Sequence, residues 1–562
     1  VTRTWRAAAI EIGAILAAFI GAIAIAHPRG NFPVNDDGLY ALPTFEFART
    51  GHFHMTMMSP SLRAQIVWGS LFVKLFGETY MAVRLSSIVS AAICIAFLNA
   101  LLALAPIPRI GRVLGTLAFA FYPIFFWSSC TFMTEAHFLC LTVMAVYFYA
   151  RGLRDGSAAF LIGGCVAVAI SWWVRQTGLI TAFPPIVFLA LYRDRLSKKW
   201  IRDIAICITP LILFAIVSHF WPDTLVGNAI ELQTLTHQWH EETWRLPQIT
   251  EWEYHLTYFA VETTALMFLP LCAALIFGLI RRYSLRAGLA SRRDQLILSI
   301  VAVFVLIGTA RSLKVHLPLP HYGALGEYNM ILGGDIFMNF GLGPPTLDDV
   351  FVGINPYPFS IKYPWRVAIT LLADVMAIVL LTSIVFVVLE RWRAPRENVP
   401  LFLGLLYAGA HTASLGISNA YFDRYALTSQ WPAVIVAAML IPWQRIGARV
   451  VAIAILVVFA TFDIAATDEY FAWQTQHWNA FNDARATGAT LQEIQSGAEP
   501  FQVYELAYVS DIHTRRRLGF GKALTKWAIY FGPRKGYHVV KRYPFTGWFG
   551  LHRGEVLLLE KE

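Results

Sequence analysis

The sequence predicts an all-α polytopic membrane protein with long extracytoplasmic loops and a small C-terminal α/β domain. Three observations lead there. The 562-residue chain is 57% hydrophobic and only 14% charged, with mean hydropathy +0.54, whereas soluble domains carry about a quarter charged residues. Its charges gather in short loops between apolar stretches of about 17–25 residues, the length that crosses hydrocarbon. Beyond Thr467 that pattern gives way to shorter runs with strand character.

The first apolar stretch, Ala7 to Ala26, is too long for a signal-peptide core, and His27-Pro28-Arg29 is a poor cleavage site, so a retained helix is expected. Basic residues then set the topology. Arg3/Arg6, Arg109/Arg112, Arg151/Arg154, Arg193 to Arg202, Arg281 to Arg293, Arg391 to Arg396 and Arg445/Arg449 read as cytoplasmic. Counting between them gives about thirteen spans, an inner N-terminus and an outer C-terminus. Residues 1–466 form the transmembrane domain, with outer loops at 28–80, 222–262 and 312–366, and residues 467–562 form the outer domain. In that tail, 501–510, 537–543 and 554–559 read as strands and 521–530 as a helix. Its basic residues suit a surface facing anionic headgroups. The six cysteines have neither disulfide nor metal spacing. The net charge of +9 lies largely in cytoplasmic loops, which argues against nucleic acid.

The most informative motif is Asn35-Asp36-Asp37-Gly38-Leu39-Tyr40, just past the first span. Adjacent carboxylates at a membrane exit are costly unless used. They suit a general base, although one of the two could instead cap the following helix. Cations for a lipid phosphate are Arg84, at the outer start of the second span, with Arg63, Lys74 and Arg424 as rivals. Simple snorkelling at the interface is the competing reading of Arg84. Glu135, at the outer end of an apolar helix, reads as an acceptor contact or a cap. His52 and His54 could meet sugar hydroxyls or a divalent metal, but no complete ligand set is visible, so no cofactor is assigned. Trp239, Trp244, Trp252 and Tyr254 suit the bilayer interface or a lid.

Several segments together resemble the GT-C superfamily of polyprenyl-phosphate-dependent glycosyltransferases, in the branch of the protein O-mannosyltransferases and the lipid A aminoarabinose transferase. They are Asp36-Asp37-Gly38-Leu39-Tyr40, Phe76-Gly77 with Val83-Arg84-Leu85-Ser86, Tyr122-Pro123 with Thr131 to Glu135, and Asp423-Arg424-Tyr425 leading to Trp431-Pro432. The likeness covers about Ala7 to Ile441 and leaves the tail aside. It implies a GT-C-like fold and a polyprenyl-phosphate-linked sugar donor. It also implies a glycan, lipid or protein acceptor, with Asp36 as base and Asp37 orienting the donor or tuning the base. Tyr40, His52, His54, Glu135 and Tyr425 are then the expected sugar or acceptor contacts. The setting implied is a bacterial inner membrane with the site facing the periplasm. Where relatives carry Lys-Pro-Pro this chain has Met58-Ser-Pro-Ser-Leu-Arg63, and Asp37 stands where Glu is common. The competing readings are a transporter or flippase, and a ligase or polymerase using a lipid-diphosphate donor. Transport is disfavoured because the charges lie at outer helix ends and no inverted repeat is visible.

Overall fold

The computed structural model describes residues 5–53, 61–193, 199–220, 246–284, 292–314, 319, 322–325, 330–333, 336–340, 361–415, 420–504 and 525–562. Within α1 (Trp5–Ala26) a single acid, Glu11, is buried. It meets Arg109 at 3.0 Å, Arg112 at 3.5 Å and the Asn99 amide at 3.3 Å. A carboxylate inside an apolar helix needs such partners.

The stretch expected as the first outer loop is largely helical among its described residues. α2 (Asp37–Thr50) ends where Gly51 adopts φ 74° and returns its N–H to Phe47, a left-handed stop that glycine makes without strain. α3 (Arg63–Phe76) lies beside it. Thr79 then caps α4 (Tyr80–Leu102) through Ala82 N–H. α5 (Arg109–Ala120) and α6 (Pro123–Ser129) meet at a 62° bend. Pro123 sits in the first turn of α6, where its missing N–H costs nothing. α7 (Thr134–Asp155) and α8 (Ala158–Trp172) pack side by side.

After a 3-10 turn come α9 (Phe183–Tyr192), α10 (Trp200–Phe220) and α11 (Leu246–Met267). α12 (Leu269–Ser284), α13 (Arg292–Lys314), α14 (Ile336–Asn339), α15 (Tyr363–Arg391) and α16 (Val399–Leu415) follow. α17 (Asp423–Gln430) and α18 (Ala433–Leu440) complete the bundle core, which buries Trp127, Tyr149, Tyr407 and Trp431. Among the described residues seven helices are long and apolar enough to cross a membrane, nine if each bent pair is one span. The expected count of thirteen is therefore not reproduced.

α19 (Ile446–Ala486) is one unbroken helix of 41 residues. At 1.5 Å per residue it is about 60 Å long, roughly twice the hydrocarbon thickness. The division expected at 466/467 falls inside it. Its C-terminal half carries a sheet of β4 (Ile494–Gln495), β5 (Trp527–Tyr530), β6 (Tyr537–Gly547) and β7 (His552–Lys561), in the order β4-β5-β7-β6. A smaller sheet joins β1 (Tyr322–Leu325), β2 (Met330–Gly333) and β3 (Ala420–Phe422).

The tail differs from expectation in two places. Phe501 to Tyr504, read as strand, belongs to α20 (Ala498–Tyr504), and Trp527 to Tyr530, read as helix, is strand. Pro500 lies in the first turn of α20, where its fixed φ favours a helix start. Trp527 to Tyr530 gains antiparallel partners from β7. The strands expected at 537–543 and 554–559 are present and longer.

Candidate active site

The two adjacent carboxylates point to different partners. Asn35 takes φ 52°, a left-handed turn that asparagine tolerates better than most residues. Asp37 is fully buried and accepts the N–H of Val34 at 2.5 Å and of Phe132 at 3.4 Å, with Arg84 3.9 Å away. Burial pushes its carboxyl up to about 7, against the pull of Arg84 and the two backbone donors. Asp37 thus ties the start of α2 to the segment before α7. Asp36 occupies the N-cap position but makes no side-chain bond to its own helix. Its carboxylate accepts Arg424 Nη2 at 2.6 Å and its side chain stays 13% exposed.

Arg424 is held from behind. Asp423, fully buried, accepts the N–H groups of Ile336 at 3.1 Å and Phe337 at 2.9 Å, which fixes the first turn of α17. The Arg424 guanidinium lies 3.9 Å from Glu135 and 5.2 Å from the Tyr425 ring centroid. Glu135, in the first turn of α7, is also paired with Arg175. Arg175 in turn donates to Thr134 Oγ1 at 2.6 Å and stacks 5.5 Å from Tyr425. Asp36, Arg424, Glu135 and Arg175 therefore form a row of alternating charge. Tyr40 is buried beside it and feels Asp36 and Arg424, and burial raises its hydroxyl well above the usual range. One oxygen of Glu135, Oε2, is buried with no hydrogen-bond partner among the described residues.

An apolar groove of about 520 Å³ is lined by Trp68, Leu71, Ile93, Met144, Ile170 and Trp173 among others. Arg63 lies in its wall, its guanidinium 4.8 Å from the Trp173 ring centroid. Groove and charge row share their framework. Gln65 of the groove donates to Phe132 O at 2.9 Å, while Asp37 accepts from Phe132 N–H. Arg175 follows the groove residues Trp173 and Val174 directly.

Of the residues singled out in the sequence, Asp36, Tyr40, Glu135, Arg424 and Tyr425 come together. Arg84 does not face the groove. It is 1% exposed and donates to Gly30 O at 2.8 Å and Phe32 O at 2.6 Å, beneath the rings of Phe32 and Phe471. A guanidinium so enclosed holds the 30–32 turn rather than a lipid phosphate. Lys74 is exposed in the last turn of α3, about 16 Å along that helix from Arg63. His52 is exposed just past α2, its N–H on Thr50 Oγ1, and His54 lies outside the described residues. Among the described residues no cluster of three or more His, Cys, Asp or Glu could hold a metal.

Arg175 was missed by the sequence reading. Its signal was available: a lone basic residue among aromatics, away from every loop counted as cytoplasmic. Glu499 of α20 was missed too. It takes a hydrogen bond from Gln474 at 2.9 Å and one from the Asn35 backbone, so the tail braces the turn that presents Asp36.

The elevated carboxyl of Asp37 has a pH consequence. In the unfolded chain it titrates near 3.8, so between about 4 and 7 the folded protein holds a proton that the unfolded chain has released. Its stabilising effect is complete below that window and is lost as pH rises through 7. Asp37→Asn should therefore flatten the plot of Tm against pH between about 4 and 7. An unchanged slope in thermal unfolding of the purified variant would contradict this.

Residues 67–221 match the family model described as dolichyl-phosphate-mannose-protein mannosyltransferase. The matched segment runs from α3 through α10. Among solved structures, ArnT from Cupriavidus metallidurans bound to undecaprenyl phosphate is similar at 13% identity, over 98% of this chain and 97% of that one, with TM-score 0.41. The archaeal oligosaccharyltransferase AglB from Archaeoglobus fulgidus, in complex with an inhibitory peptide and a dolichol-phosphate, is similar at 14% identity. That likeness covers 84% of this chain and 58% of AglB, with TM-score 0.42. No curated protein matches significantly.

Proposed function

We propose that the chain transfers a sugar from a polyprenyl-phosphate donor to an acceptor hydroxyl on the outer face of a bacterial inner membrane. The observation that carries this reading is the placement of Asp36. It is a partly exposed carboxylate opposite Arg424, next in sequence to Asp37, which Phe132 links to Gln65 of an apolar groove that has Arg63 in its wall. The groove takes the proximal isoprene units and Arg63 meets the phosphate. Asp36 removes the acceptor proton as the oxygen attacks the anomeric carbon, and the C–O bond to phosphate breaks. Arg424 neutralises Asp36 before substrate arrives. As charge builds on the leaving phosphate, its guanidinium is placed to share that charge and release Asp36 to act as base. Tyr40, Tyr425 and Glu135 line the side on which sugar or acceptor hydroxyls sit, and Arg175 fixes Glu135. Asp37 and Arg84 act behind the site by shaping the chain that carries Asp36.

The test is transfer by purified protein in nanodiscs supplied with defined polyprenyl-phosphate sugars, alongside a binding assay with polyprenyl phosphate alone. Arg63→Ala is expected to weaken lipid-phosphate binding by roughly ten- to a hundredfold, as for a lost charged hydrogen bond of about 1.5–3 kcal/mol. Undiminished binding by that variant would remove the phosphate from this groove. Transfer only from a lipid-diphosphate donor would replace the donor class.

A further inference from the structure

The outer domain ends in a feature that the transfer reaction does not use. β6 and β7 form a hairpin that runs along α19 with its turn toward the bilayer. Away from its turn, Tyr543 donates to Asp483 at 2.6 Å; beside the turn, His552 Nδ1 meets Glu469 Oε1 at 2.9 Å, and a Cβ on Gly547 would come within 2.5 Å of Glu469 Cγ. At its tip, Trp548 packs on Phe462, ring centroids 5.9 Å apart. Glu469 to Phe462 is two turns of helix, about 10 Å nearer the cytoplasmic end of α19.

Phe462 lies within the bilayer-spanning part of α19. Counting from Ile446, it is about 24 Å up the helix, inside a hydrocarbon layer of about 30 Å. Below it α19 turns Val450, Val457 and Val458 outward, 57%, 58% and 63% exposed, a stripe suited to lipid. The hairpin tip continues that stripe. Phe549 is 56% exposed and Leu551 is 89% exposed, the highest value among the large exposed apolar residues described. Trp548 and Phe549 both adopt positive φ, 50° and 58°, followed by Gly550 at 86°. Two bulky residues in the left-handed region are costly, and such strain persists where the turn has a task. Arg553 is exposed one residue beyond the buried His552, at the height where a phosphate headgroup would sit.

We propose that the 548–551 tip is a membrane anchor that inserts Phe549 and Leu551 into the outer leaflet. Trp548 marks the interface and Arg553 faces the headgroups. The anchor pins the outer domain to the lipid surface at a second point, besides the helix from which it grows. The partner is the bilayer itself.

The six native cysteines are all buried, so single engineered cysteines can be labelled selectively. Leu551→Cys and, separately, Phe549→Cys would carry an environment-sensitive fluorophore, in nanodiscs of phosphatidylethanolamine and phosphatidylglycerol holding one protein each. Val540→Cys, 45% exposed on the same hairpin but seven residues from its end, is the aqueous reference. Doxyl-labelled lipids should quench the two tip positions several-fold more than position 540, and iodide should show the reverse order. Equal access of iodide to all three sites would overturn the proposal. So would a tip shielded from both quenchers, since that would mean protein covers it. Using two tip positions guards against one substitution disturbing the turn.

Discussion

Asp36→Asn is expected to lower the transfer rate by ~10²–10⁴, the usual worth of a positioned general base, while binding of polyprenyl phosphate stays near normal. Asparagine keeps the shape and can still accept from Arg424, which reaches Asp36 at 2.6 Å. It cannot take a proton. Because Asp36 makes no cap bond to α2 and asparagine keeps the hydrogen bond to Arg424, the fold should survive with a smaller loss of melting temperature than in Arg424→Ala. The contrast with its neighbour is the sharper part of the prediction. Asp37 is fully buried on two backbone N–H groups, so Asp37→Asn should act on folding and pH dependence more than on turnover. Normal turnover in Asp36→Asn with a dead but folded Asp37→Asn would exchange the two roles. Normal turnover in both would end the base assignment.

Arg424→Ala is expected to cost activity and stability together. Arg424 lies between Asp36 at 2.6 Å and Glu135 at 3.9 Å, with its side chain 5% exposed. Removing it leaves Asp36 without this ion pair and Glu135 with Arg175 alone, and losing one partner of a buried ion pair costs about 3–5 kcal/mol. A pure folding defect is separated by Arg424→Met combined with Glu135→Gln, which restores charge balance. That double variant should regain most of the melting temperature and stay inactive, because Arg63 alone is left to share the charge that builds on the leaving phosphate. Recovery of transfer along with stability would make Arg424 a structural residue only.

The legible and illegible parts of the site divide by distance along the chain. Asp36 and Asp37 were legible because two adjacent carboxylates are seldom kept next to a bilayer without a task. Glu135 stood out for the same reason. The enclosure of Arg84 was not legible, because sequence gives its height on a helix but not what wraps it. That wrapping comes from the 30–32 turn and from Phe471 of α19, far along the chain. The tail's α20 could not be read at all. Phe501 to Tyr504 is too short to show a period, and only the packing of Val503 on Gly38 shows which face it turns to the first turn of α2. The apolar stretches were visible, but bends such as the one at Tyr122-Pro123 prevented them from being counted as whole spans.

The length of α19 ties the chain's two ends into a single inheritance. Val503 fills the space that a Cβ on Gly38 would need, and Trp478 donates to Pro33 O. A lineage that enlarged residue 38 would first have to shrink residue 503, and a gene fusion that swapped the tail alone would bring a mismatched wall to the acidic turn. Among descendants of this sequence, changes at 33–38 should travel with changes at 474–503. The groove residues of α3 and α8 take no part in those two contacts, so their changes need not follow the tail.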